Sequence, residues 1–178
     1  MVSLDGFVEG PNRELDWHAV DEDFTRYVVD MQNWIDTILL GRVTYQGFAE
    51  HWPTSTAPEA PMMNGLPKIV FSRTLKKVEW KNSRLVRENI AEEIATLKRQ
   101  PGRDIALLGS ADLASTFIRF GLIDEFRFFI DPVVLGGGTP LFKGIKDRMA
   151  LKLLKTQTLS SGVVILYYQP RPGGSSFP

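Results

Sequence analysis

The chain has 178 residues, 43% hydrophobic and 24% charged, the size and composition of one ordinary globular domain with a proper core. Lys+Arg and Asp+Glu both number 21, so no bulk field draws it to nucleic acid or an anionic membrane, and any anion must be held by a local site. Cysteine is absent, which excludes disulfides, thiolate metal sites and cysteine nucleophiles, and two histidines, His18 and His51, are too few for a metal site, so no metal is expected.

Met1 to Leu4 reads as the end of a strand that is short or lacks residues before it, and "DGFVEGPNRELDW" as a loop rich in Gly, Pro and Asn. From Asp21, the residues Phe24, Tyr27, Val28, Met31 and Ile35 fall at helical spacing behind the acidic start "DED". "TILLG" predicts a buried strand, "RVTYQGFAEHW" a short helix and "TSTAPEAPMMNGLP" an irregular loop. "KIVFS" and "RLVR" are short strands, and "NIAEEIATLKRQ" is a helix opened by Asn89 and ended by Pro101-Gly102. "DIALLG" is the next strand and "SADLASTFIRFG" the next helix. Beyond Gly121 the pattern holds strands only: "DEFRFFIDPVVL", then "ALKLLKTQT" and "GVVILYYQ" joined through "LSSG" as a hairpin. Residues 1–169 are expected to form one domain and 170–178 a flexible tail. With no apolar run of membrane-spanning length and no basic-then-apolar leader, a cytoplasmic protein is expected, without membrane or nucleic-acid partner.

This alternation implies an α/β fold, a mainly parallel sheet with helices on both faces, finished by antiparallel strands. Ligands of such sheets sit beyond the carboxyl ends of the strands, where Gly41 and Gly109 each end an apolar run and precede a helix. Arg42 follows the first glycine, and Ser72, Arg73 and Thr74 end another strand, so two guanidiniums and two hydroxyls face a dianion. Taken singly, Gly-Ser fits a simple strand-to-helix turn as well as a ligand site, and the other two segments read as an arginine paired with a carboxylate and as turn residues. Together with the helix that starts after "LLGS", whose first amides suit phosphate, they favour a dinucleotide carrying an extra phosphate, NADPH.

The segments "LLGRVTY", "VFSRT" and "IALLGSADL", in that order and spacing, resemble the cofactor-binding segments of the dihydrofolate reductase fold. "SLDG" and "GLIDEFRFFIDPVVLGGGTPLF" resemble the reductase domain of the bifunctional riboflavin-biosynthesis deaminase-reductase, so the likeness covers nearly the whole chain. It implies a three-layer sandwich and NADPH-dependent hydride transfer to a small molecule, pterin-like or pyrimidine-derived of the ribosylaminopyrimidine type. By this resemblance Gly41, Arg42 and Thr44 match the segment that holds the cofactor phosphates, and Ser72, Arg73 and Thr74 the segment near the adenosine 2′-phosphate. Gly109, Ser110, Ala111, Asp112 and Leu113 match the pyrophosphate-binding turn. Dihydrofolate reductases have adjacent glycines there; with Gly109-Ser110 a cis peptide is lost or costlier.

On the substrate side, Leu15-Asp16-Trp17 resembles the Leu-Pro-Trp of the mobile active-site loop of dihydrofolate reductases, in which a carboxylate on the first helix lends a proton path. Counting forward from Trp17 gives Glu22, counting back from Gly41 gives about Thr25, and Asp23, four residues before Tyr27, lies between. Asp23, then Glu22 and Asp5, are the acid candidates; "DED" is equally a solvated helix start. Asp5 matches a segment near the ribose in the riboflavin enzymes, but Phe7 stands where that family has Lys, which disfavours a phosphorylated ribosyl substrate. Asp5, Trp17 and Tyr27 are the expected substrate contacts. "LGGGTP" either packs against a ligand or is a flexible turn. The apolar strands "FRFFI" and "VVILYY", and the sheet pairing of the riboflavin reductases, imply a homodimer. The alternatives are an NADP(H)-binding protein without turnover and a structural dimer with a vestigial pocket.

Overall fold

The computed structural model describes residues 1–171, which form β1 (Val2–Ser3), β2 (Phe7–Glu9), α1 (Glu22–Asp30), β3 (Ile35–Gly41), α2 (Arg42–His51), α3 (Ala60–Gly65), β4 (Lys68–Phe71), β5 (Ser83–Val86), α4 (Ile90–Lys98), β6 (Asp104–Leu107), α5 (Ala111–Arg119), β7 (Phe126–Asp131), β8 (Thr139–Pro140), β9 (Leu151–Thr158) and β10 (Val164–Pro170). The chain divides into two units, Phe24–Ala114 and Met1–Asp23 with the residues from Ser115 on.

In the unit Phe24–Ala114 the strands form one parallel sheet of order β5-β4-β3-β6. β3 and β4 read as near-continuous apolar runs because parallel strands are covered on both faces, and Ile35, Ile38, Leu40 and Val70 are fully buried. Each such side chain contributes about 1.5–3 kcal/mol. They pack with Met31, Tyr45, Met62, Met63 and Trp80. The connection from β4 to β5 carries no helix and is tied down instead: Tyr45 Oη accepts from the amides of Glu79 and Trp80 at 2.9 and 3.1 Å, and Trp80 Nε1 donates to Asn64 Oδ1 at 2.7 Å.

In the other unit a four-stranded sheet has order β1-β7-β10-β9, with β1 parallel to β7 and the remaining pairs antiparallel. The β9–β10 hairpin closes through Leu159 and Gly162, as the spacing predicts. β2 and β8 form a separate two-stranded ribbon.

Four local expectations change. The first helix stops at Asp30, a single 3-10 turn follows, and Ile35 opens β3, where it is paired with Asp104; burial in the sheet outweighs its helical spacing. The Pro-rich loop contains α3, because Pro61 stands in the first turn, where its missing amide is harmless, and Met62 and Met63 are buried. The loops expected around "DGFVEG" and "GGGTP" contain β2 and β8, too short to show a period. Of the expected tail, Pro170 closes β10 and Arg171 N donates to Ala150 O at 2.9 Å, and residues 172–178 lie outside the described residues.

Candidate functional site

At the carboxyl edge of the parallel sheet the strand order sets four segments side by side: Arg87 after β5, Ser72–Thr74 after β4, Gly41–Arg42 at the end of β3, and Gly109–Ser110 after β6. Neighbouring strands are about 4.8 Å apart, so the row spans about 14 Å. Gly41 and Ser110 touch: a Cβ on Gly41 would lie 2.3 Å from Ser110 Oγ. The second contact is reciprocal, since a Cβ on Gly109 would lie 3.1 Å from the Thr44 side chain. Glycine at 41 therefore lets the first turns of α2 and α5 approach, and two helix starts present their amides and positive dipole ends together.

Gly109 and Ser110 both have positive φ, +62° and +59°, and none of the described peptide bonds is cis. Left-handed backbone is easy for glycine and costs serine about 1–2 kcal/mol. Passing from Ser110 into the right-handed helix turns successive amides toward one concavity, the geometry of an anion nest. Ser110 caps α5, its Oγ accepting from Leu113 N at a long 3.4 Å and its carbonyl from Ala114 N at 2.9 Å. Asp112 in the first turn suits the dipole and opposes a bound anion.

Arg42 is exposed and Nη1 donates to Gln46 Oε1 at 3.1 Å, one turn along α2, so its charge is not neutralised there. Ser72 Oγ accepts from the amides of Thr74 and Leu75 at 3.2 and 3.0 Å, which fixes the turn and leaves exposed Arg73 without an ion pair among the described residues. Arg87 is a member of the row that the sequence reading missed. It follows "RLV" directly, its Nη2 donates to Lys76 O at 2.9 Å, and the parallel pairing of β5 with β4 carries it to the edge. Two helix starts and three guanidiniums are a donor set that fits the phosphates of a dinucleotide.

The expected substrate-side residues are engaged in the fold. Asp5 Oδ1 accepts from Ser3 Oγ at 2.6 Å and Leu135 N at 3.1 Å, and Oδ2 from Gly136 N at 2.8 Å; the Ser3 bond foremost holds its carboxyl below the usual carboxylate range. "LGGGTP" is thereby pinned: Gly138, at φ +135°, leaves no room for a side chain, since a Cβ would lie 2.0 Å from Glu9 O. Asp23 Oδ2 accepts from Ser160 N and Oγ, and Asp21 Oδ2 from Ser161 N at 2.6 Å. Glu22 is exposed at the start of α1. Trp17 Nε1 donates to Glu14 O at 3.0 Å and its ring meets His18 edge-on at 4.3 Å. Tyr27, in the other unit, packs on the core with its ring 6.2 Å from Trp34.

A cleft of about 430 Å³ at the opposite, amino edge of the parallel sheet, lined by Thr37, Lys68, Ser83, Arg84 and Glu93 among others, lies away from the glycine turns. Among the described residues no group of three or more His, Asp or Glu is arranged to hold a metal ion, and no helix is long and apolar enough to cross a membrane.

The family model of the RibD C-terminal domain matches residues 1–165. The chain belongs to that family. RibD C-terminal domains are the reductase part of RibD, and the coarse assignment to reductases follows. The chain is 44% identical over 172 residues to the uncharacterised protein YyaP of Bacillus subtilis strain 168, covering 94% of this chain and 90% of that one. A solved structure from Shewanella sp. PV-4, assigned to riboflavin biosynthesis, matches with a TM-score of 0.76 and 25% identity over 96% of this chain and 95% of that one. Dihydrofolate reductase from Enterococcus faecalis, complexed with NADP(H), matches with a TM-score of 0.63 and 14% identity over 95% and 92%. This RibD-type chain is therefore α/β with the dihydrofolate reductase fold, the expected fold class.

Proposed function

We propose that the protein is an NADPH-dependent reductase that transfers hydride to a pterin-like or ribosylaminopyrimidine-type small molecule. The observation that carries the reading is the contact of Gly41 with Ser110, which sets the starts of α2 and α5 side by side at the carboxyl edge of the sheet. Gly41, Arg42 and Thr44 around the start of α2, and Gly109 to Leu113 around the start of α5, hold the diphosphate; Ser72, Arg73 and Thr74, with Arg87 beside them, hold the 2′-phosphate. Bound there, the dinucleotide supplies hydride. The chain's own residues bind and orient it by amides, dipoles and guanidiniums. Titration of tryptophan fluorescence tests this: NADPH binds at least tenfold tighter than NADH, and equal affinities at low salt remove the argument from Arg42, Ser72 and Arg73.

A second reading, an NADP(H)-binding protein without turnover, is favoured by the hydrogen bonds that already occupy Asp5 and Asp23. NADPH that binds but is not consumed with any dihydropterin or ribosylaminopyrimidine decides for it. We further propose a homodimer, supported by β9, an eight-residue edge strand with Leu153 and Leu154 exposed. A monomer by light scattering at micromolar concentration overturns that.

A further inference from the structure

Tyr45 lies on α2 three residues after Arg42, about one turn along from the helix start whose amides suit the diphosphate. Its ring is buried, at 5% exposure, and packs in the core with Met31, Ile38 and Trp80. A core ring needs no hydroxyl, and a hydroxyl taken out of water is unfavourable unless it is bonded. Here Oη accepts from Glu79 N at 2.9 Å and from Trp80 N at 3.1 Å. What tyrosine adds over phenylalanine is a hold on the connection between β4 and β5.

That connection, residues 72–82, forms neither helix nor strand, so no ladder places its backbone. Ser72 Oγ fixes only the turn around Arg73, through the amides of Thr74 and Leu75. Arg87 Nη2 ties Lys76 O to the end of β5 at 2.9 Å, and the side chains of Trp80 and Asn82 reach Asn64 and Gly65 of α3. Among the described residues, the hydrogen bonds that join the connection to α2 are the two at Tyr45 Oη. Leu75 and Val78 pack on the core between Arg73 and this tie, so a shift at Glu79 and Trp80 is passed back along the chain.

The diphosphate and the 2′-phosphate of the dinucleotide hang on one ribose, at C5′ and C2′, so their separation is nearly fixed. A site that reads both must hold its two segments at one spacing. We propose that Tyr45 sets this spacing, as a positioning residue for recognition of the 2′-phosphate, an assignment that rests on the NADPH reading. By holding Glu79 and Trp80 to α2, its hydroxyl places Ser72, Arg73 and Thr74 relative to Gly41 and Arg42 before the ligand arrives. Groups already in place bind without the cost of being ordered. NADH carries no 2′-phosphate and makes no use of that spacing.

The test is titration of wild type and Tyr45→Phe with NADPH and with NADH. Tyr45→Phe keeps the ring; NADPH should bind about tenfold more weakly and NADH within about twofold of wild type. Both nucleotides weakened alike, as a merely structural role predicts, or neither weakened, overturns the assignment and leaves the NADPH reading standing. Hydrogen exchange of the wild-type amides of Glu79 and Trp80 applies the test without a variant: saturating NADPH should slow them further than saturating NADH does. Equal protection under the two nucleotides overturns the assignment. Wild-type protein that binds neither nucleotide, or binds NADPH no tighter than NADH, overturns the NADPH reading and the assignment with it.

Discussion

Ser110 occupies the space that a side chain at Gly41 would need: a Cβ there would lie 2.3 Å from Ser110 Oγ and 2.9 Å from Ser110 Cβ. Gly41 has φ −80°, ψ 165°, a conformation any residue adopts, so the conflict is one of space alone. Gly41→Ala should therefore cost about 1–3 kcal/mol by urea unfolding and weaken NADPH binding. The double variant Gly41→Ala, Ser110→Gly should recover most of both, because the colliding atoms are gone. Equal losses in the single and double variants would show that Ser110 is not what Gly41 makes room for.

Arg73 is exposed and, unlike Arg42 and Arg87, makes neither a hydrogen bond nor an ion pair through its side chain among the described residues, so it contributes little to the fold and is available to a ligand. Arg73→Ala should leave unfolding within about 0.5 kcal/mol of wild type and reduce the preference for NADPH over NADH roughly tenfold. Raising salt should erode that preference in wild type and less so in the variant, since the contact is exposed and screened. Parallel titrations of the two nucleotides read both effects.

The parallel half of the fold was readable because its signals are local. Apolar runs such as "TILLG" and "KIVF" end at glycine or serine, and Gly41, Ser72 and Gly109 stand where the structure has strand ends. Arg87 was missed because only the pairing of β5 with β4 brings it to the same edge as Arg73. On the substrate side, the sequence showed acids and not their partners. Asp23 meets Ser160 across 137 positions of chain, and Asp5 meets Gly136 across 131.

Gly138 is fixed by two independent constraints, a φ of +135° that side chains rarely adopt and a backbone oxygen, Glu9 O, 2.0 Å from where a Cβ would be. Backbone cannot give way as a flexible side chain can. Gly138→Ala should cost about 3 kcal/mol or more and lower the thermal midpoint accordingly. Gly136→Ala is strained by its φ of +72° but meets nothing within 4 Å, so its cost should be about 1–2 kcal/mol. Thermal scans of the pair should rank them in that order, and the reverse order would contradict the fit of Gly138 against β2.

Lys68 is 1% exposed and donates to three carbonyls, Met63 O at 2.8 Å, Asn64 O at 3.2 Å and Leu66 O at 2.7 Å, with Nζ 4.2 Å from the centroid of Trp80. Burial pulls its ammonium down to about 8, so it remains mostly charged at neutral pH and caps the end of α3. Lys68→Met keeps most of the volume and removes the donors, which leaves helix-end carbonyls unsatisfied. The expected loss is about 2 kcal/mol by urea unfolding, with α3 amides exchanging first. An unchanged midpoint would mean that water replaces the ammonium.

His18 and Asp131 should leave opposite marks on the pH dependence of stability. Burial pushes His18 from 6.5 to about 4, so between those values the unfolded chain binds a proton that the native chain refuses. Stability therefore rises with pH in that window; equivalently, it is intact above pH 6.5 and lost as pH falls toward 4. Burial pushes Asp131 the other way, so just above the ordinary carboxylate value the native chain binds the extra proton and stability rises as pH falls. His18→Gln should flatten the loss between pH 6.5 and 4, and Asp131→Asn should steepen it toward the acid end. Urea midpoints measured across pH 4–7 for wild type and both variants separate the two slopes. A wild-type midpoint that is level over that range, and unchanged by His18→Gln, would mean that the imidazole charges in place and that its burial does not hold it neutral.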